Sequence, residues 1–352
     1  MTENFSSGAL RVRLSVGEVA VCALTRKSIV YFLPAHYTDG MTSPYKKLAA
    51  ALFLVFGLTA SSLLANIEIT LKNEFIEKYK DRVTIDANFT LDKALARPHA
   101  AKDDAELHVA GRAPEVKLPI VAEIMNAASQ QPAMQVIHDA EGSNQAVPLN
   151  GVWRLWCEHG GESKQVQGEA VSPINTTNPP HVFEIHPILS LNNVSLLESV
   201  HLIEGYEPKD AETAFTIYEG LQSHINIKSQ KQTTVTTSMA GYNFVEFVLK
   251  PLETPHQLAD GTAVLADIYN LKGELLVHRR RMVFIKDSPP ERALASLQTG
   301  QTMHVLGQPR ISLKLLSYRR AHYAEYDRML DWGLPYEIVV FGIYPNRPPA
   351  ID

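Results

Sequence analysis

One order of elements occurs twice along this chain of 352 residues, and it constrains the fold more than any other feature. In the first half, three segments alternate apolar and polar residues, a helical segment follows, and two more alternating segments come after it. Such alternation is typical of strands with one buried face. The predicted elements are strands at 83–92, 106–110 and 120–125, a helix at 129–140, and strands at 147–159 and 181–191.

The second half repeats this order. Its predicted elements are strands at 242–251, 262–270 and 275–285, a helix at 289–297, and strands at 301–311 and 312–320. Three strands, a helix and two strands is the order of a five-stranded OB barrel. The sequence therefore predicts a mostly all-β protein of two tandem OB-like five-stranded barrels with short connecting helices.

The remaining segments predict connections around these barrels. They are helices at 66–81 and 208–221, a Thr-rich strand pair at 223–239, and a further buried strand at 335–345. The predicted domains are the first barrel at 66–191, a connector at 192–240 and the second barrel at 241–352.

An apolar run from Leu48 to Ala60 follows Lys46 and Lys47 and ends in small residues. This pattern predicts a signal peptide at 41–65 and a periplasmic or extracellular protein. The alternative is a membrane anchor through 48–65. Because Met41 by itself would begin a complete signal peptide, we expect residues 1–40 to be a non-native leader. A genuine cytoplasmic leader is the alternative.

The charge balance disfavours nucleic acid as a partner. The chain has 33 Lys and Arg against 38 Asp and Glu, a formal net charge of -5, and six of the basic but three of the acidic residues precede Asn66. A mature chain beginning there is more acidic still, whereas nucleic-acid binding needs basic residues to neutralise phosphates. Two cysteines exclude a disulfide-rich scaffold. Cys157 is predicted on the core face, which disfavours a nucleophilic role.

Alternation sorts the side chains of the first barrel into an apolar inner face and a polar outer face. The predicted inner residues are Leu107, Val109, Ile124, Trp153, Leu155, Phe183 and Ile185. The predicted outer residues are Glu106, His108, Glu123, Arg154, Trp156, Glu158, Glu184 and His186. OB domains bind ligands on such a surface and its flanking loops, which here contain His99, Asp103, Asp104 and His181.

The outer face predicts a candidate site for a divalent metal, because imidazole and carboxylate together suit such ions. His108, Glu123 and His186 would form it if their side chains lean together. The same groups can act as general acid and base, and the simplest alternative is an ordinary solvated surface. Trp156 is a candidate for stacking on a sugar or a base, with a packing role as the alternative.

Four segments of the first barrel carry a resemblance: KDDAELHVAGRAP, IVAEIMNA, GVWRLWCEHGG and NPPHVFEIHPI. Over about residues 66–191 the chain resembles an uncharacterised group of exported bacterial proteins. In that group a D-x-D-x-H strand precedes a hydrophobic-Glu strand and an H-G…E-I-H-P segment. The resemblance points to six candidate ligand- or metal-binding residues: Asp103, His108, Glu123, His159, Glu184 and His186. The group brings no established activity.

Three functions remain open from the sequence. The first is an exported ligand- or partner-binding protein built on OB-like modules. The second is a metal-dependent hydrolase, such as a nuclease or phosphoesterase, that uses the His/Glu face of the first barrel. The third is a structural component of the cell envelope. The sequence contains none of the HExxH, GxSxG or Walker motifs that would select an enzyme class.

Overall fold

The computed structural model describes residues 10–14, 17–21, 66–161, 164–227, 231–241, 243–323, 331–345 and 351. The chain divides into two compact units, Met1–Leu63 and Leu64–Asp352. In the first unit, β1 (Leu10–Leu14) and β2 (Gly17–Val21) form an antiparallel pair. The predicted signal peptide or anchor at 41–65 lies outside the described residues, as does most of the predicted leader. None of the described helices is long and apolar enough to cross a membrane.

The second unit begins with the strands of the first barrel and the elements around them. In chain order they are β3 (Asn66–Lys72), α1 (Asn73–Tyr79), β4 (Thr84–Ala94), β5 (Leu107–Arg112), β6 (Ile120–Ile124), α2 (Gln131–Ala140), β7 (Ala146–Leu155), β8 (Lys164–Val166), β9 (Phe183–Leu191) and β10 (Val194–Ser195). The predicted helix at 66–81 is only half correct. Residues Ile67, Ile69 and Leu71 are buried in alternation, so this segment is a strand that enters a short helix.

Five of these strands close into a barrel. The strand β4 pairs with β5, β5 with β6, β6 with β9, β9 with β7, and β7 with β4 again. The pairing of β6 with β9 is parallel and the others are antiparallel. All seven predicted inner residues are fully buried. The predicted OB-like order of the first barrel is therefore confirmed.

The rest of the chain forms a connector and the second barrel. In chain order the elements are β11 (Lys209–Asp210), α3 (Ala211–Gly220), β12 (Gln222–Asn226), β13 (Gln232–Ser238), β14 (Val245–Pro251), β15 (His256–Leu258), β16 (Gly261–Tyr269), β17 (Leu275–Ile285), α4 (Pro289–Ser296), β18 (Met303–Ile311), α5 (Leu313–Tyr323), β19 (Asp331–Gly333) and β20 (Tyr336–Ile343). The predicted Thr-rich pair is β12 and β13, which join β3, β8 and β19 in an open five-stranded sheet.

The second barrel is also closed, by pairings of β14 with β16, β16 with β17, β17 with β20, β20 with β18, and β18 with β14. Its fifth strand is β20, the segment predicted only as a further strand, and the predicted strand at 312–320 is wrong. That segment is the helix α5. Its buried residues are Leu313, Leu316, Ser317 and Arg319, which are spaced by three and four as on one helix face. The Ser312 hydroxyl accepts a hydrogen bond from the amide of Leu315.

One cross-strand pair occurs at the same place in both barrels. Arg154 on β7 lies opposite Glu184 on β9, and Arg310 on β18 lies opposite Glu337 on β20. In each case the two strands are the fourth and fifth of their barrel. The pair therefore aligns the two barrels residue by residue, although their sequences show no obvious repeat.

The two barrels pack through the outer faces that carry these pairs. Arg154 donates from Nε to the carbonyl of Pro309 (3.1 Å), and Arg310 donates from Nη1 to the carbonyl of Trp153 (2.9 Å). The Arg310 guanidinium also stacks on the Trp153 ring, 3.5 Å from its centroid. Beside this reciprocal contact lies an apolar cluster with members from both barrels, including Val152, Phe244, Val283, Val339 and Phe341.

Candidate functional site

The polar residues predicted on the outer face of the first barrel do come together. His108 on β5 lies directly opposite Glu123 on β6. The strand β6 runs parallel to β9 with Ala122 opposite Ile185, so Glu123 and His186 are neighbours on the same face. Glu106 precedes β5 and points to this face two residues before His108. We call Glu106, His108, Glu123 and His186 the polar cluster.

The predicted outer face of the first barrel is not exposed to solvent. Glu106 and His186 are fully buried, Glu123 is 3% exposed and His108 is 9% exposed. The second barrel covers them: the His186 ring meets the edge of Phe244 and lies parallel to Phe341, with ring centroids 5.4 and 6.2 Å away. The alternative of an ordinary solvated surface is therefore excluded as well.

Within the polar cluster the charged atoms approach closely. The His186 Nε2 lies 2.6 Å from Glu106 Oε1, and its Nδ1 lies 2.9 Å from Glu123 Oε2. His108 Nε2 lies 3.7 Å from one oxygen of each carboxylate. Glu106, Glu123 and His186 each offer one ligand atom, and these atoms all lie within 4.8 Å of one another.

These short distances are not matched by well-aligned hydrogen bonds. Both oxygens of Glu106, Glu123 Oε2, His108 Nε2 and His186 Nε2 are buried without a hydrogen-bond partner among the described residues. Burial of a carboxylate costs several kcal/mol even after relaxation, and an ion pair offsets this cost only when further hydrogen bonds satisfy the remaining atoms. A bound cation would satisfy imidazole nitrogens and carboxylate oxygens that point into one small volume without hydrogen-bond partners.

Electrostatics within the polar cluster favours charged histidines. Burial disfavours the imidazolium of His108, but Glu123 and Glu106 outweigh it and raise the pKa of His108 to about 9. The same carboxylates overcome burial at His186 and hold its pKa well above the ordinary value. Burial would raise the pKa of Glu123, yet His186 and His108 lower it to about 2. Burial dominates at Glu106 and raises its pKa.

Glu184, a predicted ligand, has a different partner. It forms a buried ion pair with Arg154, which also bonds Glu158 at 2.9 Å. Burial would raise the pKa of Glu184, but Arg154 holds it well below the usual range. Its Oε2 still lies 3.8 Å from His186 Nδ1. Glu184 therefore borders the polar cluster, while Arg154 neutralises its charge.

Asp103 and His159 do not join the polar cluster, whereas the loop residues His99 and Asp104 meet it at His108, with ligand atoms of these three residues within 4.8 Å of one another. Asp103 is exposed on a turn, and its neighbour Asp104 lies within hydrogen-bond distance of His99, with 2.8 Å between Oδ1 and Nδ1. His159 is half-buried and stacks on His181 with ring centroids 5.0 Å apart.

Of the two roles left open for Trp156, the structure supports packing. Its side chain is only 1% exposed, because the ring is enclosed by Tyr218 and Tyr336 at centroid distances of 5.6 and 6.5 Å. No face of the indole is open to a sugar or a base. Cys157 is buried on the core face as predicted, and burial raises the pKa of its thiol to about 12.

Sequence reasoning placed Glu106 on the outer face but did not select it as a ligand. The signal was present in the run Asp104-Ala105-Glu106-Leu107-His108. Its three polar residues alternate, so they leave the strand on one side. The acidic residue in register with His108 is Glu106, two residues earlier.

The second barrel offers an internal comparison for the polar cluster. Counting from the shared Arg–Glu pair, His186 on β9 corresponds to Val339 on β20, and the pairings of β16, β17 and β20 give the other equivalents. The residues equivalent to Glu106, His108, Glu123 and His186 are Gly261, Ala263, Val283 and Val339. All four are apolar and buried. The barrel thus closes and docks without any polar group at these positions.

No protein-family model matches this sequence, and no curated protein matches it. The resemblance to exported bacterial proteins therefore stays a prediction. What the chain itself provides is a buried His/Glu group that could bind a metal ion. Two carboxylates with one or two imidazoles suit a borderline divalent ion such as Zn²⁺, Mn²⁺ or Fe²⁺.

Proposed function

We propose that this protein binds a divalent cation through Glu106, Glu123 and His186 of its first OB-like barrel, with His108 beside them. The observation that carries the proposal is the set of buried ligand atoms within 4.8 Å of one another, with both oxygens of Glu106 lacking a hydrogen-bond partner. Metal–ligand bonds of about 2.0–2.2 Å would fit a group this compact after small side-chain shifts.

The charge in the polar cluster supports a divalent ion. Arg154 compensates Glu184, which leaves the carboxylates of Glu106 and Glu123 for the histidines or for a cation. A doubly charged ion would balance both carboxylates and leave the imidazoles neutral, which is the form in which histidine binds metals.

The comparison between the barrels supports a functional origin for the polar cluster. Buried polar groups that are incompletely paired destabilise a fold, and the second barrel has apolar residues at all four equivalent positions. The fold therefore does not need the polar cluster. A ligand whose binding offsets this destabilisation would account for a polar cluster that occurs in the first barrel only.

The geometry supports binding over hydrolysis. A hydrolytic metal needs an open coordination position that substrate can reach. The three proposed ligands are at most 3% exposed and the second barrel covers them. Export to the periplasm or the medium rests on residues 41–65, and the cation proposal does not depend on it.

Metal content of the full-length protein tests the proposal. Purified protein is loaded with Zn²⁺, Mn²⁺ or Fe²⁺, dialysed, and analysed by mass spectrometry of the bound metal. We expect about one ion per chain in the wild type and loss of the ion in Glu106→Gln and Glu123→Gln, which keep the side-chain shape.

The matched control is Glu246→Gln in the second barrel. Glu246 lies 2.7 Å from His304, so it also belongs to a Glu–His pair, but no group of three potential ligands includes it among the described residues. We expect this variant to bind metal as the wild type does. Absence of uptake for all three ions, or equal uptake by Glu106→Gln and the wild type, would contradict the proposal.

A further inference from the structure

The second barrel places one polar side chain against the polar cluster. Gln308 on β18 is 1% exposed, and its Nε2 lies 3.0 Å from His186 Nδ1. This is the aligned hydrogen-bond contact of His186, because Glu123 Oε2 at 2.9 Å from the same nitrogen has no hydrogen-bond partner. The orientation of His186 is therefore set from the opposite barrel.

The residue equivalent to Gln308 in the first barrel shows that this contact is specific. Gln308 stands two residues before Arg310, and Val152 stands two residues before Arg154. Val152 belongs to one apolar cluster with Val283 and Val339, which replace Glu123 and His186 in the second barrel. Gln308 is thus polar where it meets the polar cluster, and its equivalent Val152 is apolar where it meets Val283 and Val339.

The chemistry of a metal-bound histidine explains why a polar group is needed there. When one ring nitrogen binds a metal, the other keeps its proton and donates it to an acceptor, which holds the ring in place. The Nε2 of His186 faces Glu106, so Nδ1 is the nitrogen left to donate. An amide can turn either its nitrogen or its oxygen toward a partner, so Gln308 Oε1 can accept from Nδ1.

The competing acceptor for the Nδ1 proton is Glu123 Oε2, which lies 2.9 Å from Nδ1. A carboxylate oxygen engaged by Nδ1–H is less available to a cation. We propose that Gln308 is a positioning residue of the cation site, accepting the Nδ1 proton of His186 so that His186 Nε2 and Glu123 are both free to bind the ion. This inference rests on the proposed cation site and makes the second barrel a functional part of it.

Zn²⁺ affinity of full-length variants, measured by competition with a coloured chelator, tests the inference. Gln308→Met keeps the length of the side chain but cannot accept a hydrogen bond, and we expect it to weaken Zn²⁺ binding about 10–100-fold, the usual effect of losing the partner of a ligating histidine. Gln308→Glu restores an acceptor, and we expect affinity within about threefold of the wild type or tighter.

The control is Phe341→Leu, which alters the packing on the His186 ring without removing a polar group. We expect it to leave Zn²⁺ affinity within about threefold of the wild type, even where it lowers the melting temperature of the metal-free protein. Equal affinity of Gln308→Met and the wild type would overturn the inference, and so would equal losses in Gln308→Met and Phe341→Leu. A wild type that binds no Zn²⁺ would instead contradict the cation site itself.

Discussion

Replacing part of the polar cluster by its equivalents from the second barrel separates a functional origin from a structural one. The double variant Glu123→Val/His186→Val installs the pair that Val283 and Val339 form in the second barrel, where both valines are buried at the barrel interface. The single variant His186→Val is the necessary comparison. Both are studied in the full chain with a chelator present, so that no metal contributes.

The two variants differ in which buried charged groups remain in the polar cluster. His186→Val removes the group 2.6 and 2.9 Å from the carboxylates of Glu106 and Glu123. Removing one partner of a buried charge pair costs about 3–5 kcal/mol. Replacing both partners by packed apolar residues is commonly neutral or stabilising by about 1–4 kcal/mol. Glu106 keeps His108 as a neighbour, and because burial raises its pKa it can remain as the neutral acid.

We therefore expect the double variant to be at least as stable as the wild type and the single variant to be less stable by about 3 kcal/mol. Urea unfolding followed by tryptophan fluorescence measures both, since Trp153 and Trp156 are buried. The matched control compares the single and double valine variants of the Glu246–His304 pair in the same urea unfolding measurement. Its carboxylate is partly exposed, so we expect a coupling below about 1 kcal/mol. A double variant no more stable than His186→Val would refute the reasoning, because the polar cluster would then stabilise the fold.

Three further predictions concern the barrel interface and the core. Arg310→Met removes bonds to Glu337 and to the carbonyls of Val83 and Trp153, and we expect a loss of about 3–5 kcal/mol in urea unfolding; a loss below about 1 kcal/mol would show that the interface does not depend on it. Burial would raise the pKa of Glu337, but its partners Arg281 and Arg310 lower that pKa below the usual value. The ionised Glu337 therefore stabilises the fold above the unfolded pKa of about 4.3, and this stabilisation is lost as the pH falls through the lower pKa of the folded state. Melting temperatures below pH 5 should accordingly fall more steeply in the wild type than in Glu337→Gln, and parallel curves would contradict this. In a Cys22→Ser variant, Cys157 should react with a thiol reagent at pH 8 only after unfolding, because burial raises its pKa to about 12, and rapid labelling of this native variant would show that the surroundings of Cys157 open.

Alternation along the strands was enough to predict the first barrel. Residues such as Leu107, Val109 and Ile185 recur with a period of two, and each is fully buried inside the barrel. The same period placed His108, Glu123 and His186 on one face. A strand can turn every second side chain in only one direction, so the pattern determines which residues share a face whatever lies beyond it.

The structure of the segment at 312–320 and the identity of the fifth strand of the second barrel depended on distant parts of the chain. The segment at 312–320 is a short run that suits strand or helix, and β20 rather than this run fills the last place in the second barrel. Short apolar runs are ambiguous in this way because the competing partners for a strand lie far away in sequence.

Alternation defines the faces of a barrel but not what each face meets. The outer face of the first barrel has the composition of a solvated surface, and only the docking of Phe244, Gln308 and Phe341 from the second barrel makes it an interior. Burial is a property of the pair of surfaces in contact, whereas the period of two is a property of one strand. For this reason the sequence by itself determined which polar residues lie together. The tertiary structure alone decided that they lie in a buried, low-dielectric environment, where carboxylates without aligned hydrogen bonds favour a cation.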